Sequence, residues 1–121
     1  MGDFKRLEVW RLAHVLALDT YRVTRAFPPE ERFGLQAQIR RAAASIGSNI
    51  AEGAGRMGDR EMVRFLLIAR GSAAELEYQL LLARELGLID PDTHAGLRAD
   101  AQRVNRMLLG LIRRLSSSLP K

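Results

Sequence analysis

Apolar residues along this chain return every three or four positions, and no run alternates with period two, so the pattern predicts helices and no strand. Four long segments carry it, at about 5–26, 29–51, 59–86 and 91–115, followed by a tail at 116–121 expected to fray. In the first segment Leu7, Trp10, His14, Ala17, Tyr21 and Thr24 form one stripe, and Pro28 closes it, because a residue before proline avoids the helical region. The second opens at Pro29, with Glu30 and Glu31 near the positive end of the helix dipole. Its inner stripe reads Leu35, Ile39, Ala42, Ala43, Ile46 and Ile50, while Ala37, Ala44, Ser45, Gly47 and Ser48 keep its other faces small. The glycines from Gly53 to Gly58 read as a flexible connector.

The third segment begins at Asp59, read as its N-cap, and closes at Gly87. Its main stripe is Met62, Phe65, Leu66, Ala69, Ala73, Leu76, Leu80 and Ala83. A second apolar line, Val63, Leu67, Ala74, Tyr78 and Leu81, lies roughly a third of a turn away. The fourth segment opens with Asp90 as cap and Pro91 in the first turn, and buries Leu97, Ala101, Val104, Met107, Leu108, Leu111 and Leu115. Short connections between long helices favour antiparallel neighbours, so residues 1–121 read as a single all-α domain, an up-down four-helix bundle.

The second line of the third segment is more than a lone bundle needs. Burying a leucine-sized side chain is worth roughly 1.5–3 kcal/mol, so a surplus line predicts a partner, and the chain itself is the expected one. The small faces of the second segment would let another helix approach closely. Candidate interface residues are Val63, Leu67, Tyr78 and Leu81, with Ser45, Ser48, Asn49 and Glu52. The other way to satisfy the pattern is for segment three to sit deepest in its own bundle.

Charge changes this picture in one place. Residues 1–96 carry 13 basic and 13 acidic side chains; residues 97–121 carry Arg98, Arg103, Arg106, Arg113, Arg114 and Lys121 against Asp100 alone, so the net +5 sits at the C-terminal end. The five arginines of segment four fan over the side away from its apolar stripe. A second group, Arg40, Arg41, Arg56, Arg60 and Arg64, is read as gathering where segments two and three meet. Arginine-rich surfaces neutralise phosphates and bind nucleic acid in a salt-sensitive way. The alternative is a solvated face with salt bridges such as those of Arg60 and Arg64 to Glu61. The candidate nucleic-acid residues are Arg40, Arg41, Arg56, Arg98, Arg103, Arg106, Arg113 and Arg114.

Chemistry is otherwise sparse. The chain has no cysteine and two histidines, His14 on the first stripe and His94 read as solvated at the start of segment four, too few to suggest a metal site. Glu30/Glu31 and Glu75/Glu77 are too close in sequence to face one another on a helix. Glu52 is read as a helix-end or intersubunit hydrogen-bonding group. Gly53-Ala54-Gly55 lacks the following Lys-Ser/Thr of a phosphate loop. No catalytic residue, metal or cofactor is expected. No stretch is long and apolar enough for a membrane span, and the expected location is the cytoplasm.

The series Phe4-x-x-Leu7-x-Val9-Trp10, Phe27-Pro28-x-x-Glu31-x-Phe33-Gly34-Leu35, Gln38-Ile39-Arg40-Arg41-Ala42 and Ser45-Ile46-x-x-Asn49-Ile50-Ala51-Glu52-Gly53, continued by Phe65-Leu66-x-Ile68-Ala69-Arg70-Gly71-Ser72, resembles the 23S ribosomal-RNA intervening-sequence proteins. The resemblance spans about residues 4–89 and stops short of the basic segment. It implies an antiparallel bundle assembled as a ring-like homopentamer, related in fold to the accessory protein of diversity-generating retroelements, a nucleic-acid-binding pentamer. The resulting expectation is a non-enzymatic homo-oligomeric scaffold binding RNA or DNA through arginines; the alternative is a protein-binding adaptor with no direct nucleic-acid contact.

Overall fold

The computed structural model describes residues 2–120; Met1 and Lys121, the last residue of the expected tail, lie outside the described residues. Four helices, α1 (Glu8–Thr24), α2 (Leu35–Gly55), α3 (Asp59–Glu85) and α4 (Pro91–Ser116), make up the fold, with short 3-10 turns at Phe4–Arg6 and Pro29–Glu31 and no strand among the described residues. Each helix packs on two neighbours, α1 on α2 and α4, α3 on α2 and α4, so α1 and α3 stand at opposite corners. The connections after α2 and α3 are short enough to reverse the chain each time.

Helix ends show what local chemistry decides. α2 does not start at Pro29: Pro29–Glu31 make one 3-10 turn, and Gly34, in a backbone conformation outside the helical region, resets the direction before Leu35. α1 likewise starts at Glu8 after its own 3-10 turn. Gly58, not Asp59, holds the cap position of α3, and no side chain caps it. At α4 Asp90 is the cap, its Oδ1 accepting from the Thr93 backbone N–H at 2.8 Å, a bond that holds the Asp90 carboxyl below its usual range. α3 ends in a Schellman turn: Gly87 at φ +77° lets its own N–H reach Arg84 O and the Leu88 N–H reach Ala83 O. In the tail, Ser117, Ser118 and Leu119 donate backbone N–H groups to Arg113, Leu115 and Ser116, extending the last turn.

The expected stripes of α2 and α3 form the core with that of α4, where Met107 is only half-buried and His94 and Ile112 join the buried set. The stripe of α1 differs. Its buried line is Val9, Ala13, Leu16, Thr20 and Thr24, and of the expected inner residues only Thr24 is buried. Two threonines can line this core because each hydroxyl donates to the carbonyl one turn back, Thr20 to Leu16 O at 2.7 Å and Thr24 to Thr20 O at 2.8 Å. Trp10 and Ala17 lie at the flank, half-buried against the core, and His14 and Tyr21 are exposed. Trp10 stacks on His14 with ring centroids 4.9 Å apart, leaving His14 exposed.

The glycine stretch after α2 is no flexible connector. Helix α2 continues through Gly53 to Gly55, and Gly53 is buried. A Cβ at Gly53 would stand 2.9 Å from both Met62 Sδ and Phe65 Cβ, so the absence of a side chain there sets how closely α2 meets the start of α3. Higher on the same seam Ser45 Oγ and Ser72 Oγ are 2.9 Å apart, and Asn49 Nδ2 donates to Ser45 Oγ and Ser45 O.

Candidate nucleic-acid interface

The two arginine groups have different fates. Those assigned to the meeting of α2 and α3 gather only in part: Arg56 and Arg64 share the Phe65 ring, whereas Arg41 precedes Arg56 by fifteen residues, roughly 22 Å of helix rise. Arg40 is clamped to α1, donating Nε to Thr24 Oγ1 at 2.8 Å and Nη2 to Tyr21 O at 3.2 Å, with its guanidinium 4.7 Å above the Tyr21 ring. Arg56 pairs with Glu52 at 3.4 Å and lies over Phe65. Arg64 pairs with Glu61 at 2.9 Å, which holds the Glu61 carboxyl below its usual range, and covers the same ring. Arg41 and Arg60 are exposed.

On α4, Arg98, Arg103, Arg106, Arg113 and Arg114 are all exposed, and among the described residues none has a carboxylate within salt-bridge distance. Their spacing fans them over about 160° of the helix, opposite Val104, Leu108, Leu111 and Leu115. Arg98, Arg106 and Arg113 follow one another at eight and seven residues, roughly 12 and 10 Å along the axis. The flank toward α3 is polar, where Arg70 Nε donates to Asn105 Oδ1 at 3.2 Å. Unpaired guanidiniums of this kind have the donor geometry that matches phosphate and carboxylate oxygens.

The interface candidates also divide. Leu67, Tyr78 and Leu81 are 52%, 63% and 38% exposed, and Ile68 joins them at 44%; Val63 is half-buried against the core. Thus α3 does not bury its second line within its own bundle. Ser45 and Asn49, by contrast, are bonded across or along the α2–α3 seam. Glu52 lies on the surface with Arg56. Ser48 is exposed beside a feature the sequence reading missed, a groove of about 430 Å³ between α1 and α2, lined by Trp10, His14, Tyr21, Gly47 and Ala51 among others. The signal for it was present, since aromatic residues on α1 face the small side chains of α2.

His94, expected in water, is not solvated. It is buried where α4 starts, and burial first, then the nearby Arg84 and Arg98, hold its imidazole below the ordinary pKa. Among the described residues no group of three His, Asp or Glu side chains converges to hold a metal ion, and no helix is long and apolar enough to cross a membrane.

The chain matches the family model of the 23S rRNA-intervening sequence protein over residues 5–110. Its fold is similar to that of a crystallised protein with unknown function from the S23 ribosomal protein family of Bacteroides thetaiotaomicron VPI-5482, at TM-score 0.78 and 25% identity, over 86% of this chain and 97% of that one. No curated protein matches the chain. With nearly the whole bundle inside the matched region, the chain belongs to the 23S rRNA-intervening sequence protein family.

Proposed function

We propose that the chain is a non-enzymatic, self-associating scaffold that binds structured nucleic acid through the outer face of α4. The observation that carries this reading is the row of five exposed arginines there, with no carboxylate partner among the described residues. Self-association is supported by the uncovered line of Leu67, Tyr78 and Leu81 on α3, which a second copy would remove from water; a ring-like homopentamer is the assembly the resemblance implies. The family's tie to ribosomal-RNA inserts makes RNA the first ligand to try.

The test is fluorescence anisotropy with a labelled RNA hairpin over a range of salt. Binding is expected to weaken steeply with salt, and Arg103→Glu, Arg106→Glu and Arg113→Glu together are expected to lower both affinity and the salt slope. Affinity unchanged by the triple reversal rejects this surface. Sedimentation of the wild type against Leu67→Glu with Tyr78→Glu tests self-association; a wild-type chain that sediments as a monomer rejects it.

The groove beside Trp10 supports a second reading, an adaptor that holds a partner protein with no nucleic-acid contact. A defined partner that stays bound after nuclease treatment, and is lost on Leu18→Glu at the groove edge, would favour it.

A further inference from the structure

At the end of the bundle where α3 closes and α4 begins, a separate cavity of about 300 Å³ is lined by Glu77, Tyr78, Leu81, Arg84, His94 and Arg98. Its wall is half polar, unlike the groove beside Trp10. Neither Arg84 nor Arg98 has a salt-bridge partner among the described residues, although Glu77 lines the same space. His94 is only 7% exposed, yet its ring makes no hydrogen bond with another described residue and is not enclosed as an orphaned polar group. The ring lines this cavity without a hydrogen-bond partner from another described residue, so an occupant of the space can supply one.

We propose that Arg84, His94 and Arg98 form a binding site for a phosphate group. Two guanidiniums supply paired N–H donors suited to phosphate oxygens, and the neutral imidazole supplies one more. The charged groups facing His94 are Arg84 from α3 and Arg98 from α4, with Glu77 of α3 across the cavity; their balance is cationic. Both cations disfavour a protonated ring, and a bound dianion reverses that pressure, so occupancy raises the His94 pKa. Glu77 opposes the ligand by like charge. The site needs neither nucleic-acid binding nor self-association, though Tyr78 and Leu81 place it at the border of the apolar face of α3.

The test follows the His94 C2 proton by NMR while the full chain is titrated with inorganic phosphate at low salt, with His14→Gln identifying the resonance. Expected are a saturable shift, a raised ring pKa with phosphate bound, at least about tenfold weaker binding in Arg84→Gln with Arg98→Gln, and tighter binding in Glu77→Gln. Both arginines are exposed, so the double variant is expected to keep the wild-type melting temperature. Adenosine 5′-monophosphate and a dinucleotide carrying only a phosphodiester separate the two sources of phosphate: a stronger effect of the first assigns a free monoester, of the second a nucleic-acid backbone. A non-saturable shift, or one that persists unchanged in the double arginine variant, overturns the site. Loss of RNA binding in the α4 triple reversal with phosphate binding intact separates this site from the scaffold surface.

Discussion

The seam between α2 and α3 and the outer face of α4 are both rich in polar residues, but the fold uses them in opposite ways. On the seam Ser45 bonds Ser72, Asn49 bonds Ser45, and Arg56 and Arg64 each hold a carboxylate and cover Phe65. On α4 five arginines project with no such partner among the described residues. The distinctive motif thus marks a structural joint, whereas the featureless basic helix carries the charge available to a ligand. Specificity of sequence and availability for binding lie in different places.

The largest stability effect expected from this contrast is at Gly53. Gly53→Ala gains up to about 1 kcal/mol in helix propensity. It also forces a methyl against Phe65 Cβ, which cannot swing aside as Met62 Sδ can. Overpacking of this kind costs about 1–3 kcal/mol, so net destabilisation is expected in urea unfolding. A neutral or stabilised variant would mean that the two helices do not meet this closely. Ser72→Ala is next. It removes the partner of Ser45 Oγ, which still accepts from Asn49, and is expected to cost about 0.5–1.5 kcal/mol, with Ser45→Ala and the double variant forming the cycle that isolates the pair.

How much of this was legible in the sequence follows from the same physics. The core stripes of α2 and α3 could be read because apolar residues, large and small, occupy nearly every inward position. That of α1 was displaced, because its inward line runs through Thr20, whose hydroxyl is satisfied only once the helix exists, while the bulkier Trp10 and Tyr21 sit at the flank toward α2. Gly53 looked like a linker because a glycine needed for close packing and one needed for flexibility have the same identity. The α4 arginines were placed correctly on the outer face by periodicity. Of the α2–α3 group, Arg56 and Arg64 do meet over Phe65, but Arg40 and Arg41 lie several turns before the shared end of the two helices, and Arg40 is bonded to α1. His94 read as solvated because its cover comes from α3, distant in sequence.

That cover gives a pH dependence. The folded pKa of His94 is lowered, so as pH falls the unfolded chain takes up the proton first. The contribution to stability is complete above the unfolded value of about 6.5 and is lost as pH falls through it toward the folded value. Between pH 7.5 and 5.5, roughly one unit on either side of that value, the wild type is expected to lose stability relative to His94→Gln, measured as urea midpoints. Parallel pH profiles would place the ring in water.

The smallest expected effect on stability is on α4, and it tests the comparison most directly. Arg106 is exposed and pairs with no carboxylate among the described residues, so Arg106→Gln removes a solvated charge and should move the unfolding free energy by no more than about 0.5 kcal/mol. The same change takes one cation from the exposed row of α4, and if that row is the proposed RNA surface the slope of log affinity for RNA against log salt should fall by about 1. Arg40→Gln should do the reverse, because it breaks bonds to Thr24 and Tyr21 and uncovers a ring: lower stability, little change in slope. If both variants move the same quantity, the division between structural and available arginines fails, and with it the reason for placing the ligand on α4.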